Sequence, residues 1–140
     1  MSKYNANKTE VDGYVFDSKA ESQYYEYLLK LKAKGKIVNF EMQPQYILQP
    51  KYTKFGVNIR AITYIADFLI YHLNGTKEVI DVKGFEVPVS VIKKKMFNYI
   101  YPSYKLTWVA RSLKYSSTGW IDCDELKRCR NKAKKEKKNE

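Results

Sequence analysis

Two aspartates interrupt runs of apolar residues in the middle of this chain. Asp67 lies in the stretch Ile-Ala-Asp-Phe-Leu-Ile, and Asp81 lies in the stretch Val-Ile-Asp-Val. A carboxylate in a buried strand is energetically unfavourable unless a cation or hydrogen bonds compensate for its lost hydration. Two carboxylates on neighbouring strands need a shared compensation, and acidic oxygens with water molecules are ligands that suit Mg²⁺. The two aspartates therefore predict a divalent-metal site within a sheet.

The turn between the two aspartates decides whether their side chains meet. If Leu73-Asn74-Gly75 forms a three-residue loop with Gly75 in the left-handed conformation, His72 pairs with Thr76 and Asp67 lies opposite Asp81. A two-residue Asn-Gly turn would instead place the aspartates on opposite faces, because a one-residue shift reverses every side chain. The metal hypothesis therefore requires the three-residue loop or a compensating bulge.

Hydrophobic spacing predicts the secondary structure around this hairpin. Ser18 and Glu21 form a capping-box pattern at the start of a helix that Gly35 ends. Three strands are expected at about residues 40–50, 58–72 and 76–83, and the middle strand is apolar at both alternating sets of positions. The later expected elements are a helix from Pro88 to about Tyr101, a strand from Lys105 to Arg111 and a helix from Trp120 to about Asn131.

The order of these elements predicts an α/β fold with a mixed central sheet flanked by helices. A strand that is apolar on both sides belongs to a sheet covered on both faces. The 140 residues suit a single domain. We expect a flexible arm at residues 1–13, the domain at residues 14–126, and a basic tail at residues 127–140 that is frayed or disordered.

The charge of the chain indicates an extended polyanion as partner. Lys and Arg number 26 against 15 acidic residues, which gives a formal net charge of +11. Nucleic acid is favoured over a membrane surface or an acidic protein. Candidate phosphate contacts are Lys93, Lys94 and Lys95 on the second predicted helix, which are expected to face outwards, and Arg111. The alternative for the lysines is an ordinary solvated helix face.

Cysteine usage and hydropathy bear on the compartment. Cys123 and Cys129 form no CxxC motif, so a structural zinc site is not expected, and free thiols fit a reducing cytosol. No apolar run approaches the length that crosses a membrane. We expect a cytoplasmic protein that does not act at a membrane.

Three further polar residues are candidates for the site of the aspartates. Lys83 follows Asp81 by two and leaves the same strand face, where its ammonium would act on a water molecule or a phosphate; a plain surface ion pair is the alternative. Glu21 shares the helical stripe that faces the sheet, although its position also suits capping alone. Gln43, and with less support Gln45, could touch a water molecule or phosphate; each is also an ordinary edge-strand amide.

The combination of a helical glutamate, Asp67 and Asp81-Val82-Lys83 resembles the PD-(D/E)XK nuclease pattern. Phe16-Asp-Ser-Lys-Ala-Glu21, Gln43-Pro44 and Ile80-Asp-Val-Lys-Gly84 are similar to small phage nucleases akin to phage Holliday-junction-resolving endonucleases and to the nuclease subunit of some transposases. The resemblance covers about residues 14 to 111. Ala66 precedes Asp67 where the family name has proline.

The resemblance implies a restriction-endonuclease-like αβββαβ core and Mg²⁺-dependent hydrolysis of DNA phosphodiesters, with Mn²⁺ able to substitute. Asp67, Asp81 and Glu21 would hold the metal, Lys83 would orient the attacking water, and the sugar 3′ oxygen would leave. A homodimer acting on branched DNA in phage recombination or DNA processing is implied. The alternatives are a nuclease of the same fold acting on specific duplex sites, transposon ends or free ends, and a non-catalytic basic DNA-binding protein.

Overall fold

A computed structural model describes residues 8–84 and 86–139 of the chain. The helices are α1 (Lys19–Ala33), α2 (Pro88–Ile100) and α3 (Cys123–Lys138). The strands are β1 (Thr9–Val11), β2 (Tyr14–Phe16), β3 (Ile37–Met42), β4 (Gln45–Gln49), β5 (Tyr52–Lys54), β6 (Val57–Ile59), β7 (Ile62–Ile65), β8 (Phe68–His72), β9 (Lys77–Val82), β10 (Lys105–Arg111) and β11 (Trp120–Asp122).

The centre of the molecule is a five-stranded mixed sheet in the order β11-β10-β9-β8-β3. β9 and β10 are parallel, and the other neighbouring strands are antiparallel. The parallel pair is joined through α2, because parallel strands need a crossover connection. The expectation of an α/β fold with a mixed sheet flanked by helices is therefore confirmed.

Helices cover the sheet on both faces, as the doubly apolar strands predict. On one face, Phe68 and Ile80 pack with Tyr24 and Leu28 of α1. On the other face, Leu69 and Val79 belong to a second core cluster that includes Phe97 of α2. Val79 and Phe97 are both 0% exposed, so the hairpin of β8 and β9 lies at the centre of the core.

The ends of the first two helices agree with the sequence signals. The Ser18 side chain accepts a hydrogen bond from the Glu21 backbone N–H, so it caps α1 as expected. Gly35 follows α1 with a φ of +71°, a backbone conformation that glycine adopts without a steric penalty. Pro88 occupies the first turn of α2.

The single strand expected at residues 40–50 is wrong. Gln43 has a φ of +52° and Pro44 follows it, so the chain bends between β3 and β4. β3 pairs with β8 in the central sheet, whereas β4 pairs with β7 outside it. The expected strand at residues 58–72 is divided in the same way, into β6, β7 and β8.

The divided strands form a long excursion from the sheet, which we call the arm (residues 45–65). Its base is the β4–β7 pair and its outer part is the β5–β6 pair. Tyr46, Leu48 and Tyr64 of the base pack in the α2-side core cluster. None of residues 50–62 is buried, so the outer part projects from the body.

Regular secondary structure occurs near both ends of the described chain. Residues 9–16, within the range where a flexible arm is expected, form the β1–β2 hairpin with Asp12-Gly13 as its turn; residues 1–7 lie outside the described part. Trp120 belongs to β11 and not to the last helix. That helix continues past Asn131 to Lys138, through the residues expected to form the tail.

Two smaller expectations concern cysteines and hydropathy. Cys123 and Cys129 are free thiols. Among the described residues, no helix combines the length and the apolar character that crossing a bilayer requires.

Candidate active site

The β8–β9 hairpin has the register that brings its two aspartates together. The His72 backbone N–H donates to the Thr76 carbonyl at 2.9 Å, and Gly75 has a φ of +86°. Strand pairing continues with the same register to Phe68 and Ile80. The three-residue loop is therefore confirmed. Asp67 precedes Phe68 and Asp81 follows Ile80, so the two aspartates lie next to the last recorded pair of the hairpin.

Asp67 lies at the junction where the arm rejoins the central sheet. Its backbone N–H donates to the Ile80 carbonyl at 3.1 Å, and its carbonyl accepts from the Gln43 backbone N–H at 2.9 Å. The Ala66 backbone N–H donates to the Pro44 carbonyl at 3.1 Å. The two ends of the arm are thus joined beside the aspartates, and the left-handed Gln43 is part of that junction.

Asp81 is a buried carboxylate with several polar neighbours. The residue is only 4% exposed. Oδ1 accepts a hydrogen bond from the Asp67 backbone N–H at 3.0 Å, and Oδ2 accepts one from the Tyr64 hydroxyl. Lys83 Nζ lies 3.8 Å from the same Oδ2 atom. These contacts hold the Asp81 carboxylate in one orientation, close to Asp67.

Asp67 carries the clearest electrostatic anomaly in the chain. Burial, and next the negative charges of Asp81 and Glu21, raise the pKa of the Asp67 carboxyl to about 8. One hydrogen bond opposes this rise in pKa, from the Val82 backbone N–H to Oδ2 at 2.8 Å. The ionised form of Asp67 therefore lacks sufficient positive charge around it.

Glu21 and Gln43 share a cleft with Asp67. Met42 and Phe68 also line this cleft, and β2 closes one side of it. Burial, followed by the negative charge of Asp17, raises the pKa of Glu21, and Asp81 makes a smaller contribution of the same sign. The structure therefore places Glu21 and Gln43 beside Asp67. Gln45 instead lies exposed on β4, opposite Ile65.

Asp81 and Lys83 open onto a neighbouring cleft on the α2 side of the sheet. Tyr64, Ser90 and Lys93 are among its lining residues. Asp67 and Asp81 thus line different clefts. Two hydrogen bonds link them across the hairpin, from the Asp67 backbone N–H to Asp81 Oδ1 and from the Val82 backbone N–H to Asp67 Oδ2.

A tryptophan fixes the lysines of this site. Trp108 on β10 is the parallel partner of Asp81. Lys83 Nζ lies 4.9 Å, and Lys94 Nζ 4.3 Å, from the centre of the Trp108 ring. Cations at such distances from an aromatic face are attracted to its electron density. Trp108 also donates from Nε1 to the Tyr64 hydroxyl at 3.2 Å, so one ring orders both lysines and the tyrosine that contacts Asp81.

The expected outward direction of the lysines on α2 is correct for only one of them. Lys95 is exposed, but Lys93 and Lys94 are half-buried on the side of the helix that faces the site. Ile92, although apolar, is exposed. Phe97 is the only buried residue of α2. Its burial sets the rotation of the helix about its axis, and this rotation turns Lys93 and Lys94 towards the site.

Arg111 is not brought into either cleft. It lies at the end of β10, two residues beyond Val109, which pairs with Val82. Its guanidinium carbon lies 4.9 Å from the centre of the Trp120 ring. Arg111 is therefore at the same end of the sheet as Lys83 but is held by Trp120.

Sequence reasoning missed Tyr64 and Trp108. A buried tyrosine hydroxyl needs a hydrogen-bond partner, which is a signal that Tyr64 lies near a polar group. That signal could not name Asp81, because the bend at Gln43 and the arm that follows it were not anticipated. Trp108 could have been found only from the parallel register of β10 against β9.

The donor set at the centre of the site suits a hard divalent cation. Asp67 and Asp81 are carboxylates close enough for the charge of Asp81 to raise the pKa of Asp67, and that raised pKa reflects a negative charge that no neighbour fully offsets. Within the described residues, however, no three His, Cys, Asp or Glu side chains converge closely enough to form an ion-binding group by themselves. The two aspartates would be the primary protein ligands, and Glu21 would act from the edge of the cleft.

Comparison with known proteins gives a single family assignment. A family model described as "Protein of unknown function (DUF1064)" matches residues 1–117. The matched range contains every candidate site residue and ends before α3. No curated protein matches the chain.

Proposed function

We propose that this chain, which belongs to the DUF1064 family, is a Mg²⁺-dependent DNA endonuclease that acts on branched DNA. The observation that carries the proposal is the closeness of Asp67 to the buried Asp81, whose carboxylate accepts a hydrogen bond from the Asp67 backbone N–H, with Lys83 near the same carboxylate. The order helix, three antiparallel strands, helix and parallel strand agrees with the PD-(D/E)XK resemblance. The net charge of +11 supports a polyanionic substrate.

Asp67 and Asp81 would hold the metal, with Glu21 completing the negative charge around it. When bound, the ion would polarise a phosphoryl oxygen and make a water molecule more acidic. Mn²⁺ should substitute, because it accepts the same oxygen ligands. A bound cation would also favour the ionised form of Asp67, whose pKa is otherwise raised.

The protein groups would position the reactants and stabilise charge. Lys83, held between Asp81 and Trp108, keeps its ammonium where negative charge would grow on the attacked phosphate. Gln43 faces the cleft beside Asp67 and would orient the water or a phosphate oxygen. Hydrolysis forms a bond from water oxygen to phosphorus and breaks the bond from phosphorus to the sugar 3′ oxygen, which takes up a proton.

The half-buried lysines explain how DNA would be held over the aspartates. Lys93 lines the cleft of Asp81, and Lys94 lies on Trp108 beside it. Both are therefore placed to contact phosphates next to the cut, whereas Lys95 would contact DNA further away. A homodimer would present two such sites to opposing strands of a junction.

The test is cleavage of a labelled four-way junction and of a matched linear duplex by the purified chain. We expect cutting with Mg²⁺ or Mn²⁺ and none with EDTA. Asp81→Asn should lower the rate at least about a hundredfold, because it removes a charge at the centre of the site. Asp124→Asn is the matched control, since it removes one carboxylate from the exposed first turn of α3.

The outcomes separate the competing functions. If Asp81→Asn cuts as fast as the unchanged chain, the site is wrong. Binding to DNA without cutting under any metal condition would indicate the non-catalytic DNA-binding protein. Equal cutting of junction and linear duplex would favour a nuclease of the same fold that acts on another DNA, and a preference for the junction supports the branched substrate.

A further inference from the structure

We infer that the outer part of the arm is a DNA-contacting element in which Phe55 stacks on a base while Lys51, Lys54 and Arg60 contact phosphates. This inference rests on the proposed function and names how its substrate is held. The evidence is the conformation of the arm's turn, the exposure and charge of its residues, and the junction between the arm and the aspartates.

The turn at the tip of the arm contains a residue that the turn itself disfavours. Lys54 pairs with Val57, so Phe55 and Gly56 form a two-residue turn, with φ values of +48° and +76°. Positive φ at both positions strongly favours Asn-Gly or Asp-Gly, because a side chain such as that of phenylalanine is sterically strained there. The folding of the arm therefore does not account for a phenylalanine at this position.

The chain itself provides the comparison. Its other two-residue hairpin turn, between the paired Val11 and Tyr14, has Asp12 and Gly13 at φ values of +54° and +82°. Aspartate there is the residue that this turn geometry favours. Only at the tip of the arm is the first turn residue a bulky aromatic one.

Burial does not explain Phe55 either. The residue is 94% exposed, which makes it the most exposed of the large hydrophobic residues in the described chain. Tyr52 and Val57 on the same strand pair are also well exposed, at 46% and 57%. An aromatic ring held away from the body on a strained turn is suited to contact another molecule.

The charge of the outer arm identifies the kind of partner. Residues 50–61 contain three cationic side chains and no acidic one. Lys51 and Arg60 line a concave surface with Thr53 and Asn58, whose side chains are joined by a hydrogen bond of 2.9 Å. Lys54 lies next to Phe55, with Nζ 5.8 Å from the centre of the ring. Cations that flank an exposed aromatic ring fit the phosphates and bases of nucleic acid.

The position of the arm connects this surface to the site. Gln43, before the arm, and Asp67, after it, are hydrogen-bonded to each other through the backbone and line one cleft. Phe55 lies ten positions after Gln45, so the tip is at most about 33 Å from the base, which is close to one turn of B-DNA. A DNA duplex that extends one turn from Asp67 towards the arm would reach the tip.

Stacking of Phe55 is most favourable where a base is already unpaired or a base step is weakened. Such places occur at the branch point of a junction, and wedge-like apolar side chains open base steps in other DNA complexes. The ring would then bind a branch point in preference to a matched duplex. The cations would bind both DNAs similarly, because phosphates are present in each.

Binding in EDTA separates the arm from the chemistry of the site. Fluorescence anisotropy is measured with a four-way junction and with a matched duplex, over a range of salt concentrations, and 2-aminopurine at the branch point reports unstacking. The variants are Phe55→Asn and the triple change Lys51→Gln, Lys54→Gln and Arg60→Gln. Tyr99→Asn is the matched control, because Tyr99 is an aromatic residue 87% exposed on α2, outside the arm.

We expect Phe55→Asn to weaken junction binding about tenfold and to remove the 2-aminopurine signal, with little change in duplex binding. Its melting temperature should be unchanged or higher, because asparagine tolerates the left-handed turn better than phenylalanine. The triple variant should reduce the slope of log affinity against log salt by about 2 to 3 for both DNAs. Tyr99→Asn should behave as the unchanged chain.

Junction binding by Phe55→Asn and by the triple variant at the level of the unchanged chain would overturn the inference. That result would leave the proposed function standing if Asp81→Asn still abolished cutting. Conversely, a chain that binds junctions through Phe55 but never cuts them supports the arm and removes the endonuclease. Loss of binding by Tyr99→Asn equal to that of Phe55→Asn would also overturn the assignment to the arm.

Discussion

The carboxyl group of Asp67 has a pKa raised to about 8, because it is buried close to two other acids. Its position follows from two opposing demands: the hairpin must bury this part of the strand, and the proposed chemistry needs an anion beside Asp81. Tyr64, Lys83 and the Asp67 backbone N–H satisfy Asp81, whereas Asp67 receives one backbone hydrogen bond from Val82. The folded protein therefore favours a proton on Asp67 unless a cation is present.

This imbalance predicts how stability depends on pH. Because the folded-state pKa of Asp67 is raised to about 8 from an ordinary value of 3.8, its favourable contribution is complete below pH 3.8 and is lost as the pH rises through 8. In EDTA, the free energy of unfolding should fall by on the order of 3 kcal/mol between pH 5 and pH 9 on account of this group. Asp67→Asn should remove most of that decrease, measured by urea unfolding at each pH.

Adding Mn²⁺ tests the same account of Asp67. The ion should stabilise the unchanged chain more at pH 9 than at pH 6, because at pH 6 its binding must first displace the proton of Asp67. Asp124→Asn should retain both the pH dependence and the Mn²⁺ effect. If Asp67→Asn keeps the full decrease above pH 7, another group is responsible and the account of Asp67 is incorrect.

Individual residues of the site were predictable where a local rule applied to them. Asp67, Asp81 and Lys83 stood out because charge is rare within strands that are apolar on both sides, and Ser18 placed Glu21 at a helix start. The amide of Gln43 makes it a candidate from the sequence, but no local signal in the sequence indicates its left-handed backbone. Tyr64 was not predictable, because its contact with Asp81 depends on how the arm folds back.

At the level of elements, the register of the β8–β9 hairpin controls whether the site exists. The sequence left two registers open, because Leu73-Asn74-Gly75 allows a three-residue loop and Asn74-Gly75 alone allows a two-residue turn; only the metal hypothesis required the first. The bend at Gln43 was not predictable, because Pro44 is equally compatible with the start of an edge strand. The same holds for β11, whose three residues precede α3 without a turn signal of their own.

Shortening this turn should keep the site. Deleting Leu73 leaves Asn74-Gly75 as a two-residue turn between His72 and Thr76, so their pairing is retained and Asp67 stays in register with Asp81. We expect cutting, and the Mn²⁺ effect on melting temperature, to persist. Leu73→Ser is the matched control, because Leu73 is exposed and its replacement keeps the length of the loop.

Loss of Mn²⁺ stabilisation by a shortened hairpin that still folds would show that the pairing of His72 with Thr76 is not enough to keep the site. A shortened chain that fails to fold is recognised by its circular dichroism. In that case an insertion of one glycine after Asn74 tests the same register argument from a longer loop. Loss of activity in both length variants would contradict the argument.

For the molecule as a whole, positive charge is divided between the body and α3. This helix carries eight Lys or Arg residues against three acids. Leu126 is its only buried residue within the described range, so its later turns contribute little to the core. The extent of α3 was not predicted, because a polar lysine-rich segment reads as a solvated tail until a cap at Asp122 starts the helix.

Removing the residues after Asn131 should therefore weaken DNA binding more than stability. We expect the slope of log affinity against log salt to fall by about 1 or more, because five of the lost residues are lysines. The melting temperature should change little, and cutting at low salt should persist. An unchanged slope would mean that DNA contacts only the body of the protein.

The arm leaves the central sheet after Met42 and returns at Asp67, between two strands that pair directly with each other. The sheet that holds the proposed site and the projecting segment are thus connected at one junction, so either can be changed while the other is kept. If the proposed function holds, lengthening, recharging or exchanging residues 50–61 should alter which DNA is bound without changing the groups proposed to cut it. A tight connection from Met42 to Phe68 would make the opposite variant, a smaller core without the arm.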